Sequence, residues 1–345
     1  MRVEEEPAPE RALPPAPPWL TAVIEAGWAS SDAQSLMGHA YVISSEDRYE
    51  AALLGEMIAS LKLCAQPVLQ RPCQTCLGCR SFLQGSHGDL LEVRREAGKV
   101  AIGIDQIRAA VSFLQKTALY GDIKILHVVD ADKMTSAAAN SLLKTLEEPA
   151  GRTLILLSTA EPWRLPATVR SRCQLQRILT PDPDVSLDWL KTSHDWDEAN
   201  AASALRLTGG HSVEAWMRRD ALDVATFNEL RESFSSIFSG AAATAHVPEC
   251  WTRVEPEFLL RQLLVWCEQN VTDTDIAALR SRGSDLLTLH KGIAELWQRV
   301  RGGAVPAKDV LVSELFRLCR SLTHPEFQSI AAQFLATFGR TGGVA

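Results

Sequence analysis

The sequence predicts a parallel-sheet α/β domain followed by two helical segments, and three observations carry that reading. Short apolar runs at residues 40–43, 124–130 and 153–158 alternate with segments of helical period. The runs at 124–130 and 153–158 are almost unbroken in their apolar character, and beyond Thr180 every periodic segment is helical. Near-continuous apolar strands separated by helices imply a sheet covered on both faces, since neither face is left to water.

Residues 1–18 hold six prolines and four glutamates with almost nothing to bury, which predicts a disordered tail. Residues 40–43 follow as a strand. The next helix, 49–63, sets Leu54, Met57, Ile58 and Leu61 on one face. Residues 89–94 and 100–104 flank Glu96-Ala97-Gly98-Lys99 and predict a hairpin. A helix over 105–116 places Ile107, Val111 and Leu114 on one side, and a helix over 136–148 is stopped by Pro149. Thr180-Pro181-Asp182-Pro183-Asp184 reads as a linker. Residues 185–220 then give short helices around Gly209-Gly210, and longer amphipathic helices follow from Ala221, such as 256–268 with Leu259, Leu260, Leu263 and Leu264. The expected division is a tail over 1–18, an α/β domain over 19–180, a small helical domain over 181–220 and an all-helical one over 221–345.

A chain of 345 residues with 46% hydrophobic and 22% charged residues excludes collagen, coiled coil and bulk disorder. Its net charge of -7 argues against binding nucleic acid through the overall field, leaving only local basic patches. Of these, Arg94-Arg95 reads as a solvated hairpin face, and Arg299 with Arg301 as a helix end. The longest purely aliphatic run, Leu154-Ile155-Leu156-Leu157, is too short to cross a bilayer. The opening Met1-Arg2-Val3-Glu4-Glu5-Glu6 lacks the apolar run of a signal peptide. The expectation is a cytosolic protein whose eight cysteines are thiols or metal ligands.

Cys64, Cys73, Cys76 and Cys79 form a C-x8-C-x2-C-x2-C pattern. Short C-x2-C steps let thiolates converge on one ion and a more distant fourth ligand closes a tetrahedron, so the leading expectation is a structural zinc module over 64–79. An iron–sulfur cluster and four unconnected thiols are the alternatives. Cys173 and Cys250 are scattered, whereas Cys267 and Cys319 sit in helical apolar patterns and read as core.

The strand–loop–helix at 40–63 is where a phosphate-binding loop would lie. Such a loop needs glycines, so that backbone N–H groups surround the phosphates, and a lysine to neutralise them. Here it is Ser44-Ser45-Glu46-Asp47-Arg48-Tyr49-Glu50, without glycine or lysine and with three carboxylates at the helix N-terminus. Acidic groups there suit the helix dipole and occupy the field an anion would use. Gly98-Lys99 lies in the expected hairpin and is followed by Val100. Asp130, in Val128-Val129-Asp130-Ala131, is placed either as a magnesium ligand at a strand end or as a turn residue. In related ATPases a glutamate follows that aspartate to polarise the attacking water; here the position is Ala131.

Asn140-Ser141-Leu142-Leu143-Lys144-Thr145-Leu146-Glu147-Glu148-Pro149 and Leu165-Pro166-Ala167-Thr168-Val169-Arg170-Ser171-Arg172-Cys173 resemble signature segments of the bacterial clamp-loader AAA+ family. The resemblance implies an AAA+ domain with an inserted four-cysteine zinc module, a small helical lid and an all-α collar through which subunits assemble, covering the chain from about residue 20. It also implies that Arg172 is an arginine finger reaching a neighbouring subunit's ATP, that Ser158 and Thr159 occupy a sensor position, and that the partners are the ATPase (gamma/tau) and delta subunits, the sliding clamp and, through the complex, primed DNA, with no membrane. The eroded loop, Ala131 and the chain length resemble a non-hydrolysing branch of that family, since tau would continue beyond the collar. His211-Ser212-Val213-Glu214 stands where an active lid often presents an arginine, with Arg218 further on. Structural zinc and no ATP are the expected cofactors. Two other readings stay open: an active clamp-loader ATPase with an unusual phosphate loop, and a zinc-dependent DNA-binding module. The acidic balance and the lack of clustered Lys and Arg around 64–79 count against the latter.

Overall fold

Among the residues described by this computed structural model (14–28, 38–68, 71–96, 98–194, 196–221, 224–238, 246–272, 276–301, 307–321, 331 and 333), five strands pair into one sheet. They are β1 (Ala40–Ser44), β2 (Leu90–Val93), β3 (Lys124–Val129), β4 (Thr153–Thr159) and β5 (Gln174–Arg177), ordered β2-β3-β4-β1-β5 and parallel at every pairing. Every residue of β1, β3 and β4 is buried, which is why the sequence there is almost wholly apolar. The edge strands β2 and β5 are only partly covered.

The helices of the first of two compact units, Met1–Arg219, are α1 (Pro18–Gly27), α2 (Arg48–Leu63), α3 (Leu77–Leu83), α4 (Ile104–Leu114), α5 (Ser136–Glu147), α6 (Ala167–Arg170), α7 (Pro183–His194), α8 (Glu198–Leu207) and α9 (Ser212–Met217). α2 lies against β1, β3 and β4 through Ala51, Leu54, Gly55, Ile58 and Ala59. A Cβ on Gly55 would sit 2.4 Å from Nε2 of His127, a buried ring on β3, so glycine sets how closely helix and sheet approach. α4 and α5 pack on one another and build a core with Ile107, Leu114, Leu126, Val128, Leu142 and Leu157. Thr135 starts α5, its Oγ1 accepting from the Ala138 amide at 3.2 Å.

The expected hairpin does not form among the described residues. Leu90–Val93 instead runs parallel to β3, where its apolar residues extend the sheet. Ile102 bonds the segment before α5: its amide donates to the Lys133 carbonyl and its own carbonyl accepts from Thr135. Arg94 and Arg95 are correspondingly not a solvated hairpin face. Arg94 pairs with Glu92 and, at 2.8 Å, with Glu56, while Arg95 faces Asp130.

Residues 1–13 of the expected tail lie outside the described residues, and Pro14–Pro18 depart from it. Pro14 and Pro17 are buried, the Pro15 carbonyl accepts from Trp189 Nε1 at 3.2 Å, and Pro18 opens α1. Proline suits that place because its missing N–H would have no partner in the first turn. Leu20 and Ile24 bury one face of α1, and Trp28 stacks on Tyr41 of β1 with ring centroids 4.5 Å apart.

The second unit, Asp220–Ala345, is described over α10 (Val224–Phe238), α11 (Glu249–Arg253), α12 (Pro256–Thr272), α13 (Ile276–Arg301) and α14 (Lys308–Ser321). Its core centres on Trp251, which meets Phe234 and Phe316 edge-on and donates from Nε1 to Ser233 Oγ at 2.8 Å. Cys267 and Cys319 are buried in that core, in line with their apolar pattern. No helix among the described residues is long and apolar enough to cross a membrane.

Candidate functional site

In a parallel sheet of this kind the loops beyond the carboxyl ends of the strands form the binding crevice. The loop after β1 runs there into α2. Asp47 is the N-cap of α2: its Oδ1 accepts from the amides of Tyr49 at 2.8 Å and Glu50 at 3.4 Å. Its other oxygen accepts at 3.0 Å from the amide of Glu214, in the first turn of α9. One carboxylate therefore takes amide donors from two helix N-termini, the same kind of donors that a phosphate would use.

The rest of the loop is equally occupied. Ser45 Oγ accepts from the Asp47 amide at 3.1 Å and donates to Glu50, whose other oxygen accepts from Trp19 Nε1. Glu46 is exposed, whereas Asp47 and Glu50 are buried. Between this loop and residues 180–181 and 210–212 remains a cavity of about 10 Å³, at the lower limit for one water. The Tyr49 and Glu50 amides are thus taken by Asp47, and little open space remains beside them.

At the end of β3, Asp130 adopts a left-handed backbone (φ 54°) and turns its carboxylate toward Arg95 at 3.5 Å and Arg48 at 4.0 Å. The would-be magnesium ligand thus faces two guanidinium groups, and the neighbouring Ala131 is fully buried. The hydroxyls at the end of β4 are also engaged. Ser158 Oγ lies 2.6 Å from His127 Nε2, and Thr159 Oγ1 donates to Asp132 at 2.6 Å while accepting from the Glu161 amide at 3.0 Å. Arg218 pairs with Glu214 at 3.0 Å. His127, Asp132 and the Glu214 amide have no signal in the sequence, because each acquires its role through a residue distant along the chain.

Arg172 lies apart from this crevice on the surface turn after α6. Its Nε donates to Glu147 Oε1 at 2.6 Å and its Nη2 pairs with the same oxygen at 2.5 Å, while its Nη1 donates to the Thr168 carbonyl at 2.9 Å and to Ser171 Oγ at 3.3 Å.

The cysteine pattern converges in space. The sulfurs of Cys64, Cys73, Cys76 and Cys79 lie within 4.8 Å of one another. Four thiolates around one zinc ion would stand about 3.8 Å apart, so a modest contraction closes the tetrahedron. A multinuclear cluster would spread its ligands over several irons and needs a wider cage. Cys64 caps the end of α2 and Cys76 the start of α3. Amides of Cys73, Cys76 and Cys79 donate to the sulfurs of Cys64, Cys73 and Cys76 at 3.2–3.4 Å, an outer shell that favours thiolate. The Cys73 thiol is pulled down to about 6, first by the Cys76 amide and then by Thr75. Gln74 takes the left-handed turn between them (φ 61°). Gly78 is required, because a Cβ there would meet the Leu63 carbonyl at 2.5 Å. The donor set fits a thiolate-binding metal such as zinc.

Electrostatics refine the reading of the loop. Burial pushes the Asp47 carboxyl up, against the pull of His211 and of its amide donors. Burial also pushes Glu50 up to about 7, opposed by its bonds from Ser45 and Trp19. Glu50 is therefore a weaker source of negative charge near neutrality than the sequence suggests, while the Tyr49 and Glu50 amides are occupied and little space remains beside them. A glutamate raised in the folded chain contributes stability that is complete below its unfolded value of about 4.3 and is lost as the pH rises through about 7. Glu50→Gln, which never ionises, is expected to gain several degrees in Tm relative to the unaltered chain between pH 5 and pH 8.5, read by thermal unfolding. A Tm difference that is the same at both pH values would contradict the raised carboxyl.

A family model described as "DNA polymerase III, delta subunit" matches residues 23–182. The delta' subunit of Escherichia coli DNA polymerase III is 40% identical over 148 residues, covering 43% of this chain and 44% of that protein. The delta' subunit of Pseudomonas aeruginosa is 33% identical over 199 residues, covering 57% and 60%. The chain spans about half the length of these relatives. A solved structure of a DNA polymerase III gamma subunit-related protein from Thermotoga maritima is 19% identical, with a TM-score of 0.46, over 88% of this chain and 99% of that one. Through its α/β portion, the chain is similar to the delta' subunits of bacterial DNA polymerase III.

Proposed function

We propose that this protein is the non-hydrolysing, delta-prime-type subunit of a clamp loader, which assembles with ATPase (gamma/tau) and delta subunits and helps open the sliding clamp for primed DNA. The observation that carries this reading is the double cap made by Asp47 over a cavity of about 10 Å³, which takes the place of a bound nucleotide tail. Asp130 facing two arginines and Ala131 in the position of the water-polarising glutamate support it further.

In this role Arg172 supplies what the chain gives to hydrolysis elsewhere. A guanidinium offers paired N–H donors to two phosphate oxygens and offsets the charge that grows during phosphoryl transfer at a neighbour's site. An arginine provided in trans makes that hydrolysis depend on correct assembly. The helices of residues 183–217 would form the lid and those from Val224 onward the collar. Bound at Cys64, Cys73, Cys76 and Cys79, zinc would supply a closed structural crosslink with no open position for chemistry. The four thiolates would then fix the end of α2 to α3.

Three measurements test the reading. Calorimetry of the isolated chain with Mg-ATP is expected to give no binding heat into the millimolar range; micromolar binding with turnover would favour an active ATPase instead. In a reconstituted loader, Arg172→Ala is expected to leave assembly intact while hydrolysis at the adjacent site falls on the order of 10³-fold. An unchanged hydrolysis rate at that site would remove the finger assignment. Cys76→Ser is expected to reduce bound zinc from about one per chain to a small fraction and to lower Tm, and full retention of the metal would contradict the four-thiolate site.

A further inference from the structure

We infer that Glu147 is a counter-ligand in cis for Arg172, a carboxylate that holds the guanidinium in the pose a neighbour's phosphate must displace. The inference rests on the finger reading of Arg172 and concerns how that finger is released. Glu147 is the last residue of α5, so its position is fixed by a packed helix. Its Oε1 accepts from Nε of Arg172 and pairs with Nη2, while the Thr168 carbonyl and Ser171 Oγ accept from Nη1.

A guanidinium presents its N–H groups along fixed edges, and the two-oxygen grip on a phosphate needs an adjacent pair. The Nε–Nη2 edge of Arg172 is turned to Glu147, Nε donating at 2.6 Å and Nη2 standing 2.5 Å from the same oxygen. A phosphate takes that edge only by displacing the carboxylate. Thr168 and Ser171 belong to the arginine's own turn and hold Nη1, so the pair available for exchange is Nε with Nη2, both of which face Glu147. Carboxylate and phosphate compete for the same edge of the same cation. Glu147 is a positioning residue here, since it touches the arginine and not the nucleotide.

The competitor is also weak enough to yield. The two side chains are 35% and 51% exposed, and a solvent-screened pair of this kind shifts an equilibrium only about two- to fivefold. The arrangement occupies the guanidinium edge before assembly, yet gives way to a triphosphate presented by a correctly docked neighbour.

The test uses the reconstituted loader carrying Arg172→Ala, Glu147→Gln or both, with ATP hydrolysis measured without DNA, together with Tm of the isolated chains. Glu147→Gln is expected to raise kcat about two- to fivefold with Tm unchanged, and the double variant is expected to show no gain over Arg172→Ala alone. A Glu147→Gln rate at or below that of the unaltered loader, with Arg172→Ala still impaired, overturns the counter-ligand and leaves the finger standing. A gain that survives in the double variant also overturns it, since Glu147 would then act without Arg172. No effect of Arg172→Ala at all would instead bring down the finger reading on which the inference rests.

Discussion

The carboxylate of Asp47 is the contact on which the arrangement of the first unit depends. Helix N-termini leave amide donors without intrahelical partners, and such groups must be satisfied once they are removed from water. Asp47 satisfies donors of α2 with one oxygen and of α9 with the other, across 167 residues of sequence. Each cap contributes about 1 kcal/mol, but the larger effect is geometric. The loop after β1, the start of α2 and the start of α9 become one bonded assembly, and the surrounding residues close over it.

The same logic governs the remaining polar groups beside the sheet. Glu50 is held by Ser45 and Trp19, Ser158 by His127, Thr159 by Asp132, and Asp130 by two arginines. Each group that could serve nucleotide chemistry has been given an internal partner. Beside them stand a parallel sheet, a convergent set of four cysteines at the end of α2, and the surface turn that bears Arg172. In the proposed role, the chain keeps those parts of an ATPase that act outward on other subunits.

Legibility in the sequence followed burial. β3 and β4 were readable because they are covered on both faces and therefore apolar throughout, and the end of α5 because Pro149 cannot extend a helix. The cysteine cluster was readable because its ligands lie close along the chain. β5 was not, since Gln174, Leu175 and Arg177 are exposed at the sheet edge and carry no alternation. The hairpin reading failed at Leu90, Leu91 and Val93 because an apolar strand next to a glycine turn does not reveal which neighbour it will pair with. α1 was concealed by the prolines before it, one of which is its first residue. At the candidate site the missing glycines and lysine were visible, whereas the reach of Asp47 to Glu214 was not, because nothing local marks a partner so far along the chain.

The double cap also bears on descent. A lineage that once bound nucleotide could not regain it by replacing Asp47 alone, because that change would uncover amides on two helices at once before any phosphate had space to take them over. Reversal would need Asp47, the Glu50 network and the Arg48–Asp130–Arg95 group to change together. In the proposed role, the feature would act as a ratchet, turning a lost activity into a fixed trait.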